Sequence, residues 1–320
     1  NLNKFNVTWE LLEDGEVIGS GTVNTAYTNV PARKTGEVKG GKHTTELLPI
    51  GFQMPAEKKA GAEYYLNVSV CLKENTLWAD AGYEIAYEQF KLPNDVKATT
   101  TAPSSENVTV TGQDDASAEK ISVSGATTDG TAFSFQLDKA TGRMENYVYN
   151  NEQLIEQGPV PNYWRAPVQN DRNGGAMRYL GSSSKAKTIT VGTDANGLTT
   201  ITVELDFGTT YSGMQQTMTY TIENNGAVTV ATTLNGSGLP RDNYNRFLRV
   251  GTDMVLPAGF ETVQWYGNGP VESMLDRKTF ARVGVYSSTA SELYYPYMNG
   301  GDTGTLTDVN WITVSGTGKH

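Results

Sequence analysis

Cysteine is all but missing from this 320-residue chain. With Cys71 alone no disulfide can close within it, and a thiol set in the apolar run 66–72 reads as a small core hydrophobe before it reads as a nucleophile. Histidine is nearly as scarce. His43 and His320 are the only two, which leaves histidine–carboxylate acid–base chemistry almost no material. Positive charge is also short: Lys and Arg number 25 against 35 Asp and Glu, and the net charge of −10 repels phosphate backbones and anionic lipid. With no basic patch to offset it, neither nucleic acid nor a membrane is an expected partner. No apolar run approaches the roughly 20 residues that cross a bilayer, and no acidic cluster has the ligand spacing of a dedicated metal site. No secretory leader is visible. Asn1 opens directly into a strand-like segment, so the chain is expected to be a piece cut from something longer.

What fills the sequence is alternation of period two. Residues 5–11 alternate apolar and polar, and Glu13-Asp14-Gly15-Glu16 makes a tight turn into Val17-Ile18. Further strands are expected at 44–48, 63–72 and 82–92, with turn signals spaced as in an immunoglobulin-like sandwich. This sets a first domain over 1–93. Residues 94–118 are rich in Thr, Ser, Asn, Asp and Pro and fit a linker, with the boundary near 105 and room for an edge strand at Val108 and Val110. A second domain over 119–320 repeats the pattern at 121–123, 133–137, 147–149, 201–207 and 228–230. Its turns at 138–142, 194–197 and 223–226 carry Asp, Asn and Gly, which accept positive φ. No long amphipathic helix competes.

One stretch answers to neither strand nor helix logic. In Asn162-Tyr163-Trp164-Arg165-Ala166-Pro167-Val168-Gln169-Asn170-Asp171-Arg172-Asn173-Gly174, flanking prolines hold an aromatic–guanidinium cluster extended, ahead of a polar turn. A second unusual block runs Trp265-Tyr266-Gly267-Asn268-Gly269-Pro270-Val271-Glu272, then Asp276-Arg277-Lys278 and Gly284-Val285-Tyr286. A third is Tyr295-Pro296-Tyr297 with Thr307-Asp308-Val309-Asn310-Trp311. These three, in this order, resemble the signatures N-F-W-R-A-P-T-D-N-D-R-x-N-G, W-Y-G-x-G-P-x-E-N-Y-x-D-R-K and Y-x-P-Y…R-T-D-V-R-W of the small-chain domain of bacterial β-galactosidases, in glycoside hydrolase family two. Trp78-Ala79, Gly82, Glu84, Ala86 and Gln89-Phe90 resemble the run that closes the domain between barrel and small chain in that family.

The resemblance implies an all-β chain, an N-terminal immunoglobulin-like sandwich followed by a large antiparallel supersandwich similar to galactose mutarotase, here C-terminally incomplete. It implies that the paired carboxylates of a retaining glycosidase lie on a barrel domain upstream, so that the chain alone is inert and has no catalytic residue of its own. It implies no cofactor in this chain, with divalent and monovalent cations at the parent's barrel. The expected partners are that barrel, in the same polypeptide, and the β-galactoside substrate of the full-length enzyme; homo-oligomer contacts stay open, as does a bacterial cytoplasmic or periplasmic location. Trp164, Arg165, Asn170, Asp171, Arg172, Glu272, Asp276 and Arg277 are the candidates for the substrate side or the layer that braces it.

Each candidate has a structural alternative. The Arg and carboxylate residues suit a knot that joins the two signature loops without touching substrate. Trp164, Trp265 and Trp311, like Tyr294 to Tyr297, suit sugar stacking or plain core positions. The pairs Asp114-Asp115 and Glu13-Asp14 read as turns, and the triplets at Asn6, Asn67, Asn107 and Asn235 as glycosylation acceptors only in a secretory host. Two departures weaken the substrate reading: only 176–184 follow the first signature where the family carries a longer tryptophan-bearing segment, and 300–304 replace its usual Q-E-N-G. A free-standing carbohydrate-binding module, or a fragment of an enzyme for another β-glycoside such as a glucuronide or mannoside, are the rival functions. A mutarotase acting alone lacks a suitably placed histidine.

Overall fold

The computed structural model of the chain describes residues 2–28, 49–99, 101–168, 171, 178–211, 213–236, 247–298 and 301–316. The expected strand at 44–48, the turn at 173–175, both histidines and the candidates Asn170 and Arg172 lie outside them. By contacts the chain divides into two compact units. One comprises Asn1–Thr100, Val263–Leu293 and Gly304–Thr313, the other Thr101–Thr262, Tyr294–Thr303 and Val314–His320. The first crossing falls inside the expected linker. The second signature, which chain order assigns to the domain over 119–320, groups by contact with the first unit, because covalent order does not dictate the surface on which a returning strand packs.

The first unit opens with a four-stranded antiparallel sheet. Its strands β1 (Phe5–Glu13), β2 (Glu16–Thr22), β3 (Tyr64–Leu72) and β4 (Glu84–Leu92) lie in the order β2-β1-β3-β4. The β1–β2 hairpin turns on Asp14 (φ 50°) and Gly15 (φ 88°), both in the left-handed region that hairpin turns with matching strand twist require. Asp14 also accepts the Glu63 N–H at 2.9 Å and pairs with Lys59 at 2.7 Å, so this acidic pair is a turn, as its sequence suggests. Burial and the Glu84 carboxylate push the half-buried Cys71 thiol up, away from nucleophilic use.

The second unit packs two antiparallel sheets over one core. The larger joins β5 (Thr109–Thr111), β6 (Lys120–Ala126), β7 (Ala132–Asp138), β8 (Met144–Tyr149), β9 (Glu152–Asn162) and, on the far edge, β14 (Gly251–Val255), in the order β14-β9-β8-β7-β6-β5. The smaller runs β10 (Lys185–Thr193), β11 (Thr199–Asp206), β12 (Gln215–Ile222), β13 (Val228–Asn235). Alternation places Phe133, Phe135 and Leu137 of β7 in one buried cluster with Ile201 and Val203 of β11 and Met218, Tyr220 and Ile222 of β12. Two of the core tyrosines find carbonyls for their hydroxyls, Tyr147 donating to Gly226 O (2.6 Å) and Tyr220 to Gly142 O (3.2 Å). Ser105, in the stretch expected to be a linker, is tied to this unit, since it donates to Ile222 O and accepts the Thr199 N–H.

Val110 does lie on an edge strand, β5, and the turns at 138–142, 194–197 and 223–226 each connect neighbouring strands. Strands also occur where the sequence expectation has none. β14 is an exposed edge strand with no buried face to impose alternation, β10 is an edge strand that turns only Ala186, Ile189 and Val191 part-way into the core, and β9 carries prolines that ordinarily argue against a strand interior. Three more strands, β15 (Thr262–Gly269), β16 (Arg282–Thr289) and β17 (Trp311–Ser315), form a sheet in the order β16-β15-β17. The protein is all-β, and among the described residues no sheet closes into a barrel.

Phe135 is 1 % exposed and its ring stacks on Tyr147 at 6.1 Å. Replacing it by alanine removes a large side chain from a core with no disulfide behind it. Phe135→Ala is expected to lower the unfolding free energy by about 3–5 kcal/mol, read as a lower urea midpoint with an unchanged denaturant slope.

Candidate functional site

The first signature leaves the end of β9. Tyr163 anchors it, 1 % exposed, with Phe247 and Phe207 at ring distances of 5.0 and 5.9 Å and its hydroxyl on Gln216. Asn162 accepts the Trp164 N–H at 2.8 Å while its amide donates to both oxygens of Asp253 on β14. The turn that follows is tied by one carboxylate: Asp171 Oδ2 accepts Arg165 Nη1 at 2.7 Å and the Val168 N–H at 2.8 Å, and the Asp171 N–H donates to Val168 O. Burial works to raise the Asp171 carboxyl, but those two donors outweigh it and hold it below the usual carboxylate range. Trp164 is half-buried beneath the Arg178 guanidinium, 4.7 Å from its ring, and its Nε1–H is buried with no acceptor among the described residues.

The second signature and the 307–311 part of the third interlock within the first unit, whereas Tyr295 to Tyr297 group by contact with the second. Trp265 is fully buried, donates to Asn268 O at 3.0 Å and packs on Tyr286. Asn268 in turn donates to Thr307 Oγ1 (2.9 Å) and Asp308 Oδ2 (2.8 Å), and Lys278 pairs with Asp308 at 2.6 Å. Gly267 is obligatory here: a Cβ would come within 2.7 Å of Val309 Cα and 2.9 Å of Asp308 O. Glu272 accepts Arg277 Nη2 and the Gly304 N–H, both at 2.6 Å. Asp276 is exposed beside the tight turn between Met274 and Arg277. Trp311 packs on Tyr266 and is 40 % exposed.

The Arg–carboxylate pairs are therefore short-range. Arg165 closes on Asp171 and Arg277 on Glu272, each guanidinium bonding within its own signature loop, and the two loops belong to different compact units. Trp265 takes the core alternative, Trp164 a half-buried place under a cation, and Tyr294 and Tyr295 stay largely exposed.

Sequence reasoning missed the residues that fasten the returning strands to β4. The Gln89 side chain donates to Val283 O at 2.9 Å, accepts the Val283 N–H at 2.8 Å, and donates also to Asn67 Oδ1 at 2.9 Å. Arg282 pairs with Glu84 at 2.6 Å and lies 3.7 Å over the Tyr87 ring, whose hydroxyl donates to Phe280 O. Glu63 accepts the Tyr266 hydroxyl at 2.9 Å and pairs with Lys91. Burial works to raise the Glu63 carboxyl; the Lys91 and Tyr266 donors win and lower it. Glu84 and Gln89 both stand in the run resembling the family, which was the available signal, but a motif does not name its partner.

Two outcomes follow. Gln89→Ala leaves both backbone groups of Val283 unanswered and is expected to cost about 1–3 kcal/mol, with the Val283 amide exchanging its hydrogen faster than amides of the second unit. Asp171 has a folded pKa below its ordinary 3.8, so its pairing stabilises the fold above that value and the contribution fades as pH falls through the folded pKa. The stability gap between the parent chain and Asp171→Asn is expected to be present at pH 7 and to shrink below pH of about 4, measured by denaturant unfolding across that range.

Comparison with known proteins agrees with this geometry. Residues 129–319 match the family model described as β-galactosidase small chain, and residues 1–93 match that of β-galactosidase domain 4. Among curated relatives, the β-galactosidase of Priestia megaterium is 27 % identical over 98 % of this chain and 28 % of its own length. That of Psychromonas ingrahamii is 26 % identical over 96 % and 30 %, and that of Clostridium acetobutylicum 28 % identical over 90 % and 29 %. The chain thus spans less than a third of the length of these relatives. A small-chain match over more than half of the residues, preceded by a domain 4 match and borne by loops whose carboxylates clamp their own arginines, means that this chain belongs to the β-galactosidase family.

Proposed function

We propose that the chain is a non-catalytic C-terminal part of a β-galactosidase that hydrolyses terminal non-reducing β-D-galactosides. Its two domains, 1–93 and 119–320 with the linker 94–118 between them, support a barrel domain of the same polypeptide and shape the side from which the sugar enters. The observation that carries this reading is how the signature carboxylates are used. Asp171 holds Arg165 and the Val168 N–H, and Glu272 holds Arg277 and the Gly304 N–H. A carboxylate clamped by a guanidinium and a backbone N–H is held in one orientation for structure; a retaining glycosidase needs instead one protonated and one nucleophilic carboxyl about 5 Å apart across a glycosidic bond. Those two, and the cations the family resemblance implies, belong to the barrel in this reading. Arg165, Trp164 and Arg277 act as braces for loops that border the sugar, and Asp276 is the exposed carboxylate beside them.

The test has two arms. The purified chain is expected to give no release of nitrophenol from a nitrophenyl β-galactoside, whereas the polypeptide read in frame from upstream of Asn1 is expected to hydrolyse it and to encode a barrel with a carboxylate pair. Hydrolysis that rises in proportion to the concentration of this chain alone, or an upstream frame with no barrel, overturns the proposal.

A further inference from the structure

The loop 73–83 that joins β3 to β4 is held by its own hydrogen bonds. Ala81 N–H donates to Asn75 Oδ1 (2.8 Å), Thr76 N–H to Ala79 O (2.9 Å) and Ala79 N–H to Thr76 Oγ1 (3.1 Å); Gly82 and Leu72 close its base. This well-tied loop buries little of its aromatic content. Trp78 is 66 % exposed, with Tyr83, 55 % exposed, edge-on to it at 5.5 Å and 84°. Neither ring belongs to the buried core, so core packing does not account for them.

Against Trp78 lies a cleft of about 810 Å³ within the first unit, bordered by Lys4, Phe5, Lys73, Glu74 and Asn75. The size falls in the range of small-molecule sites, about 300–1,000 Å³. Among the described residues Lys4, Lys73 and Glu74 have no ion-pair partner, and Asn75 uses its carbonyl oxygen on Ala81 while its Nδ2 donates to nothing. The cleft therefore offers an aromatic ring together with unspent donors of both charged and neutral kinds and one unspent acceptor. A wholly apolar occupant would strip water from those groups without replacing it, at a cost. A polyanion would meet Glu74 and a chain of net charge −10.

We propose that this cleft binds a pyranose unit of an oligosaccharide, with an apolar C–H face of the sugar on the Trp78 indole and ring hydroxyls on Lys73 Nζ, Glu74 and Asn75 Nδ2. A pyranose matches the site because it carries an apolar face and a girdle of hydroxyls on one small rigid body. None of the residues that border the cleft belongs to a signature loop, and its existence does not rest on the activity of a parent enzyme.

The test is a titration of the 320-residue chain with lactose, β-1,4-galactobiose and cellobiose, followed by the indole N–H resonance of Trp78, which is assigned by its disappearance in Trp78→Phe. The expected result is a saturable shift of that resonance and of the 73–83 amides at millimolar sugar. Trp78→Ala is expected to weaken binding by about three- to tenfold as read at the 73–83 amides, and Asn75→Asp, which keeps the oxygen that accepts the Ala81 N–H and removes Nδ2, to weaken it while leaving the thermal midpoint near that of the parent. Because Trp78 is exposed, its loss should leave the fold intact, which the spectrum itself reports. No shift with any of the three sugars at tens of millimolar overturns the proposal, as does affinity unchanged in Trp78→Ala. So does a Trp78 resonance that moves with protein concentration and ignores sugar, which would mark the face as a contact between copies.

Discussion

The first unit depends on the side-chain amide of Gln89. A single carboxamide bonds both backbone groups of Val283 and reaches Asn67 on β3. It lets a strand from far along the chain sit against β4 as though the sheet continued. An amide suits this better than a carboxylate, since it offers a donor and an acceptor in one plane and has no charge to desolvate. Around it, charge is used only where it is answered: Arg282 by Glu84 and the Tyr87 ring, Glu63 by Lys91 and the Tyr266 hydroxyl. Burial alone would push both carboxyls up, and the neighbouring donors reverse that.

The second unit relies on a different device. Its stability comes from two sheets closing over alternating large side chains, and the polar atoms among them are few and bonded, as the Tyr147 and Tyr220 hydroxyls show. A chain with no disulfide has to exclude water by such packing, and large side chains recur at every second position of β7, β11 and β12. The signature loop at the end of β9 borrows this rigidity. Tyr163 sinks its ring into the cluster, and the exposed part of the loop is then shaped by Asp171 with Arg165.

Much of this was legible in order of residues. Period two on β1, β7 and β11 is a local consequence of one buried face, and the Asp14-Gly15 turn follows from which residues tolerate positive φ. The edge strand β14 was not legible, because a strand with both faces in water has no reason to alternate. At the signature loops the residue types pointed to guanidinium–carboxylate pairing and chain order alone suggested one knot between two loops; in the structure Arg165 pairs with Asp171 and Arg277 with Glu272, each within its own loop.

The sequence alone determined the strand-rich class, the turns, the absence of cross-links and the signatures, because each of these is a property of neighbours along the chain or of residue type. Only the tertiary structure decided that residues 263–293 pack with the N-terminal sheet, that Gln89 and Glu84 are the residues that hold them there, and that Trp265 is core while Trp78 faces water. Those outcomes turn on pairs of distant groups, Gln89 with Val283 at 194 positions and Glu84 with Arg282 at 198, and a linear pattern records what a side chain can bond without recording which distant partner the fold will bring to it.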